Sequence, residues 1–245
     1  MCPILFQFGP LRLYSYGLMV ALGFLAAITV AVRRSRAVGI DPARIQNVGL
    51  AALLAGILGA RLTYVLLNWE LFRSNPIEIL RLDHGGLVFY GGLAAGVIAG
   101  TAALRAKGMP VLRGVDLLIP PLVLAHAVGR IGCFLNGCCY GKPSSVPWAV
   151  AFPFDGVPRH PTQLYEAAFL ILLFVWLGRQ VSSVKCQEGP GRVLLLYGVA
   201  YGIWRFLIEF LRGDNPAVAF GLTVFQLASI GIVLICGTLF LLKYR

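Results

Sequence analysis

Seven apolar runs, each near the length that crosses the hydrocarbon core of a bilayer as a helix, constrain this chain more than any other feature. They cover residues 13–32, 46–68, 86–104, 115–136, 163–181, 192–211 and 218–242. Composition agrees: 58% of the residues are hydrophobic and 13% charged, where soluble domains carry about 25% charged residues. Mean hydropathy is +0.81. These values exclude a soluble globular domain, a disordered chain and a nucleic-acid-binding module. The expected fold is all-α: one integral membrane domain over 1–245 with seven spans. Met1-Cys2-Pro3-Ile4 lacks the basic region of a secretory leader, so no cleaved signal is expected.

The net charge of +11 follows from where the cations stand. Arg33, Arg34, Arg36, Arg44, Arg105, Lys107, Arg113, Arg179, Lys185, Arg192, Lys243 and Arg245 would share one side of the bilayer. Arg12, Arg73, Arg81, Lys142, Arg159 and Arg212 would share the other. The richer side is cytoplasmic by the positive-inside rule, which leaves the N-terminus periplasmic and the C-terminus cytoplasmic. Residues 137–162, the longest stretch between spans, are then periplasmic. Trp148, Phe152 and Phe154 make this stretch too aromatic for a free linker, and a loop or short helix capping the membrane surface is expected. Glycines cluster inside the spans (Gly56, Gly59, Gly91, Gly92, Gly96, Gly100), a pattern that lets helix backbones approach closely. Pro120-Pro121 interrupts the fourth span.

Ionisable groups inside spans are costly and point to function. Here they share a depth. Arg61, Arg130, Glu166, Arg205 and Glu209 all fall in the outer half of their spans, as do Tyr16 and Tyr90. Arg130 sits about 9 Å below the outer end of its span at about 1.5 Å per residue. The inner half holds little beyond Asp116 at its edge. A transporter needs polar groups at the midplane and a path to both faces. A one-sided, electropositive pocket instead suits an anionic lipid head group, since guanidinium donates paired hydrogen bonds in a plane and does not deprotonate. Tyr201, Arg205 and Glu209 are spaced four apart and line one helical face, with Arg212 three residues on. An Arg205–Glu209 pair could simply pack a bundle, but arginines at matching depth on other spans favour the anion site. His126, one turn before Arg130, reads as a hydrogen-bonded structural residue. Cys133, Cys138 and Cys139 gather at the outer end of the fourth span. Free thiols, a disulfide, a redox pair and a metal site are all compatible with that spacing.

Several blocks resemble the signature of bacterial prolipoprotein diacylglyceryl transferases. They are Gly129-Arg130-Ile131-Gly132-Cys133-Phe134-Leu135-Asn136-Gly137 with Gly141, Arg159-His160-Pro161-Thr162-Gln163-Leu164-Tyr165-Glu166, the Tyr201, Arg205, Glu209, Arg212 face, Tyr16-Gly17-Leu18-Met19 and Gly59-Ala60-Arg61-Leu62. The blocks run in order along nearly the whole chain.

The resemblance implies a multi-pass enzyme of the bacterial inner membrane whose site faces the periplasmic leaflet. It would move the diacylglyceryl group of phosphatidylglycerol to the lipobox cysteine thiol of a preprolipoprotein signal peptide, releasing glycerol-1-phosphate. Its partners would be that lipid, that peptide and the bilayer, with no nucleic acid, metal or soluble cofactor. Arg130 would bind the phosphate, Arg205 would stabilise charge on the leaving group, and Glu209 would orient Arg205 or move a proton. Tyr201 and Tyr16 would hydrogen-bond the head group. Arg61 and Arg212 would complete the anion-binding set, and Asn136 and Gly141 would shape the mouth. Tyr90 stands where the family has a histidine that would serve the thiol proton, with His84 six residues earlier as a substitute. Cys133 and Cys138 stand where the family has asparagine and glutamate. A paralogue that binds phospholipid and serves another acceptor, or none, is the alternative.

Overall fold

The computed structural model describes residues 1–8, 11–81, 85–181 and 189–244. His84, Lys185, Cys186 and Arg245 lie outside the described residues. Seven helices are long and apolar enough to cross a membrane. They are α1 (Ser15–Ala37), α2 (Pro42–Leu67), α3 (Phe89–Ala106), α4 (Val111–Asn136), α5 (Thr162–Val181), α6 (Arg192–Ile208) and α7 (Val224–Tyr244). Large apolar side chains such as Leu58, Ile98, Leu172 and Leu242 project from them exposed, as faces turned to lipid do. This is a multi-pass, all-α membrane protein.

The chain packs as two compact units, residues 31–114 and residues 1–30 with 115–245. In the first, α2 begins at Asp41, whose carboxylate accepts from the Ala43 amide at 2.9 Å ahead of Pro42, an N-cap followed by proline at N1. α2 and α3 then meet through their glycines. A Cβ on Gly59 would lie 2.8 Å from the Gly91 carbonyl oxygen, and one on Gly92 would lie 2.9 Å from that of Gly56. The glycine pattern is therefore the interface itself: only hydrogen at these positions allows such an approach. Between the two helices run a single turn (Trp69–Phe72) and a 3-10 segment (Pro76–Leu80).

In the second unit, α4 runs without a break through Pro120 and Pro121, so the expected interruption does not occur. Each proline removes one backbone donor, which a membrane helix tolerates when its neighbours cover the freed carbonyls; both residues are buried. α4 packs on the start of α1, where Gly23 leaves room for the Ala125 carbonyl and Gly132 for Met19. Phe169 of α5 stacks on Trp204 of α6 at 4.3 Å. Gly198 and Gly202 of α6 accommodate Cys236 and Val233 of α7. Asp116 has a structural role: its carboxylate accepts from the Gly191 and Leu194 amides at 2.6 and 2.9 Å and caps the start of α6.

Three short β-hairpins flank helices of the second unit. β1 (Ile4–Phe8) pairs antiparallel with β2 (Leu11–Tyr14) ahead of α1, and β3 (Val150–Ala151) with β4 (Pro158–Arg159) in the 137–162 stretch. Of the expected loop or short helix, that stretch takes the loop form, folded by a short hairpin. Phe152 is buried in it against Tyr140 and Phe154, and Arg159 lies over the Tyr140 and Phe154 rings. Asp155 pairs with Arg159, and this hydrogen bond holds its carboxyl below the ordinary range. The seventh span starts at Val224 rather than 218, because β5 (Ala217–Ala219) and β6 (Leu222–Thr223) turn through Phe220 and Gly221, both at positive φ.

Candidate functional site

The polar residues of the second unit gather where α4 and α6 end and α5 begins. Glu166, in the second turn of α5, is 1% exposed and is the hub of the first cluster. Its Oε1 lies 2.9 Å from Arg130 Nη2 of α4 and accepts the Tyr201 hydroxyl of α6 at 2.8 Å. His126, one turn before Arg130, places Nε2 at 3.7 Å from the same oxygen, beyond a hydrogen bond, and its ring lies 5.4 Å from that of Tyr201. His126 stands within electrostatic reach of Arg130, Glu166 and Arg205 together.

Glu209 centres the second cluster. It follows the end of α6 in a short 3-10 turn and is 3% exposed. Its Oε2 lies 2.8 Å from Arg205 Nη2, and its Oε1 accepts from Asn215 at 2.6 Å and from the Thr223 hydroxyl at 2.9 Å. Thr223 is in turn fixed by capping α7, since its Oγ1 accepts from the Gln226 amide while its own amide donates to Gln226 Oε1. A carboxylate with this many fixed partners orients Arg205. The guanidinium also lies 4.6 Å over the Phe225 ring. Arg130 Nε and Arg205 Nη1 are buried and have no hydrogen-bond partner among the described residues. Buried donors are normally paired; Arg159 Nε, Arg192 Nε and Trp204 Nε1 are likewise without a partner there, and Arg130 Nε and Arg205 Nη1 are the two that sit on guanidiniums held by Glu166 and Glu209.

The mouth is built by close backbone approach. A Cβ on Gly141 would lie 2.6 Å from the His160 carbonyl oxygen and 2.9 Å from that of Leu211, so residue 141 must be glycine. Its amide donates to His160, and it bridges to Arg212. Arg212 is buried and donates to Asp214 from Nε and Nη2 at 3.0 and 2.6 Å. Tyr16 and Asn136 are exposed beside this region. Trp148 donates to the Tyr165 hydroxyl at 2.6 Å, and the same hydroxyl lies 3.2 Å from His160 Nδ1. These contacts hold the cap to the first turns of α5.

Two expected site residues belong to the other unit. Arg61 is 7% exposed, and its donors reach the backbone carbonyls of Glu78, Ile79, Gly85 and Gly86. There it pins the connection that leads into α3. Tyr90 stands exposed in the first turn of α3, its ring edge-on to Phe89.

A family model described as prolipoprotein diacylglyceryl transferase matches residues 3–242. The chain belongs to this family. A phosphatidylglycerol–prolipoprotein diacylglyceryl transferase of Clostridium tetani is 38% identical over 96% of this chain and 95% of its own length. Relatives of the same name from Methylococcus capsulatus and Geobacter sulfurreducens are 36% and 37% identical, covering 95% and 90% of this chain and 89% and 85% of their own.

Within this transferase family member, the sequence gives roles to Arg130, Arg205, Glu209 and Tyr201, counts Glu166 among the carboxylates of the same pocket without a role, and reads His126 as structural. A carboxylate one turn into an apolar span needs a cation, and of the three arginines at its depth, Arg61, Arg130 and Arg205, packing selects Arg130. The role of Asn215 and Thr223 had no comparable signal, since both sit in an ordinary-looking loop.

Proposed function

We propose that this chain transfers the diacylglyceryl group of phosphatidylglycerol to the lipobox cysteine thiol of preprolipoproteins and releases glycerol-1-phosphate. The observation that supports this most is the pair of buried, unpartnered guanidinium nitrogens on Arg130 and Arg205, whose other nitrogens are oriented by Glu166 and Glu209. A phosphodiester offers the acceptors those donors lack. Arg130 binds the phosphate. Arg205 faces the leaving oxygen, where negative charge grows as the glyceryl C–O bond breaks. The acceptor sulfur attacks that glyceryl carbon, forming a C–S bond, while the C–O electron pair departs with the phosphate ester.

The thiol proton needs an acceptor near the reacting carbon. We assign that role to the imidazole of His126 in place of Tyr90, because its Nε2 faces Glu166 Oε1 one turn from Arg130. Its 3.7 Å separation from Glu166 leaves it room to close when it gains a proton. Glu166, already held by Arg130 and Tyr201, would stabilise the imidazolium. Tyr16 and Asn136 border the head group, and Gly141 with Arg212 closes the mouth. The charge asymmetry of the loops supports a site at the periplasmic leaflet of the inner membrane.

The test is complementation of a strain depleted of its own transferase, together with transfer from phosphatidylglycerol to a lipobox peptide in isolated membranes. Wild type, Tyr90→Phe and Tyr90→His should support growth and transfer, whereas Arg130→Ala and His126→Asn should not. Bound phosphatidylglycerol in native mass spectrometry, with no transfer to any lipobox peptide, overturns the enzymatic reading. Full activity of a folded Arg130→Ala protein overturns the site.

A further inference from the structure

Three cysteines converge where α4 ends, and the local backbone dictates why. Gly137, at φ +78°, terminates the helix: its amide donates to Phe134 and the Cys138 amide donates back to Cys133. This crossed pair of bonds is a Schellman motif, which needs glycine at its left-handed position. It turns the chain back over its own last turn, and Cys139, itself at φ +62°, completes the reversal. The loop is then held from outside, as the Cys138 carbonyl accepts from Gln163 at 2.6 Å and the Cys139 carbonyl from Thr162 at 2.9 Å. As a result the sulfurs of Cys133, Cys138 and Cys139 all lie within 4.8 Å of one another. Cys133 is buried and the other two are half-buried.

We propose that Cys133, Cys138 and Cys139 form a trithiolate site for a thiophilic d10 cation of the zinc class. Thiolates around one such ion stand about 4 Å apart, given metal–sulfur bonds of about 2.3 Å, and these sulfurs, all within 4.8 Å of one another, need only a small closure to reach it. A disulfide would use two of the three and leave an odd thiol among them. Binding forms three metal–sulfur bonds and releases to solvent whatever protons the three sulfurs still carry, with no change of oxidation state. Three thiolates on a divalent ion leave one negative charge. The Arg212 guanidinium acts electrostatically on Cys139 and supplies the balancing cation. The bound ion would clip the loop that carries Gly141 to the end of α4. This inference does not depend on the transferase reading, and its test needs no turnover.

The full-length protein, reduced without oxygen in detergent and with Cys2, Cys186 and Cys236 changed to serine, is titrated with Cd2+ as the probe. The expected result is one equivalent bound per chain, with an ultraviolet thiolate-to-metal charge-transfer band. Cys133→Ser, Cys138→Ser and Cys139→Ser should each weaken binding at least about tenfold and shift or remove the band. Where a variant does not fold, the same question is put to the wild-type chain: saturating Cd2+ should protect all three thiols, and not Cys2, from alkylation read by peptide mass spectrometry. Absence of the band, a band that survives Cys139→Ser, unprotected thiols, or a disulfide within the trio in freshly isolated protein each overturns the proposal.

Discussion

Arg130 Nη2 and Glu166 Oε1 lie 2.9 Å apart, with the carboxylate 1% exposed and the guanidinium 15% exposed. The carboxylate is closed off from water while the cation keeps an open edge, so Glu166 serves to present Arg130. Arg130→Ala should lower diacylglyceryl transfer at least about 100-fold. Because it strands a buried carboxylate, it should also cost on the order of 3 kcal/mol of stability. Arg130→Lys should recover stability more than activity, since one ammonium cannot hold Glu166 and a phosphate in two directions. Transfer assays paired with thermal unfolding in the same micelles separate the two effects, and equal recovery of both would contradict this reading.

Glu209→Gln keeps the size and one hydrogen-bonding oxygen but removes the charge that aims Arg205. Transfer should fall by about 10- to 100-fold, mostly in kcat, as expected when a group is misplaced rather than deleted. Thr223→Val, which removes one bond to the same carboxylate, should give a smaller loss in the same direction. A KM effect without a kcat effect would assign Glu209 to ground-state binding instead.

Gly59 offers a purely structural test in the smaller unit. A Cβ there would stand 2.3 Å from the Ala95 Cβ and 2.8 Å from the Gly91 oxygen. Gly59→Val should destabilise the protein by about 1–3 kcal/mol. Gly237→Ala, where nothing lies within 4 Å, should leave the melting temperature unchanged. Equal melting temperatures for both variants would mean the α2–α3 interface is looser than its backbone spacing implies.

The thiol of Cys139 is held below its ordinary range, first by hydrogen bonds from Cys133 and Cys138 and then by the charge of Arg212. A depressed value means the thiolate persists as pH falls. In metal-free protein, alkylation of Cys139 should therefore change little between about pH 6 and 8. A free cysteine, titrating near pH 8.5, slows about tenfold per unit below that point. Rates read by mass spectrometry that track the free thiol would remove the argument for an anionic sulfur there.

Much of this was legible in the chain. The α2–α3 contact was visible as glycines at helical spacing, since close backbone approach demands hydrogen where a side chain would stand. The Tyr201, Arg205, Glu209 face was visible because a helix repeats every four residues or so. Arg61 shows the limit. Its depth matched that of Arg130, yet its donors are occupied by four backbone carbonyls of the segment leading into α3. Depth along a span is a one-dimensional quantity, and the partner of a buried charge is chosen in three. The stretch 137–162, expected as a loop or short helix, is a loop whose hairpin has no sequence signal, for a related reason. Its aromatic residues signalled a folded surface, but pairing Val150 with Arg159 across a turn is a nonlocal contact that composition does not encode.

Length and polarity alone determined seven lipid-facing helices and a set of ionisable groups near one end, because an apolar run and a buried charge each carry a free-energy cost independent of their neighbours. Which cation meets which carboxylate was decided only by packing. Glu166 took Arg130 and Tyr201, Glu209 took Arg205, Asn215 and Thr223, and the donors on Arg130 Nε and Arg205 Nη1 were left over. That division depends on directions and distances of an ångström or less, which arise only when the helices are pressed together.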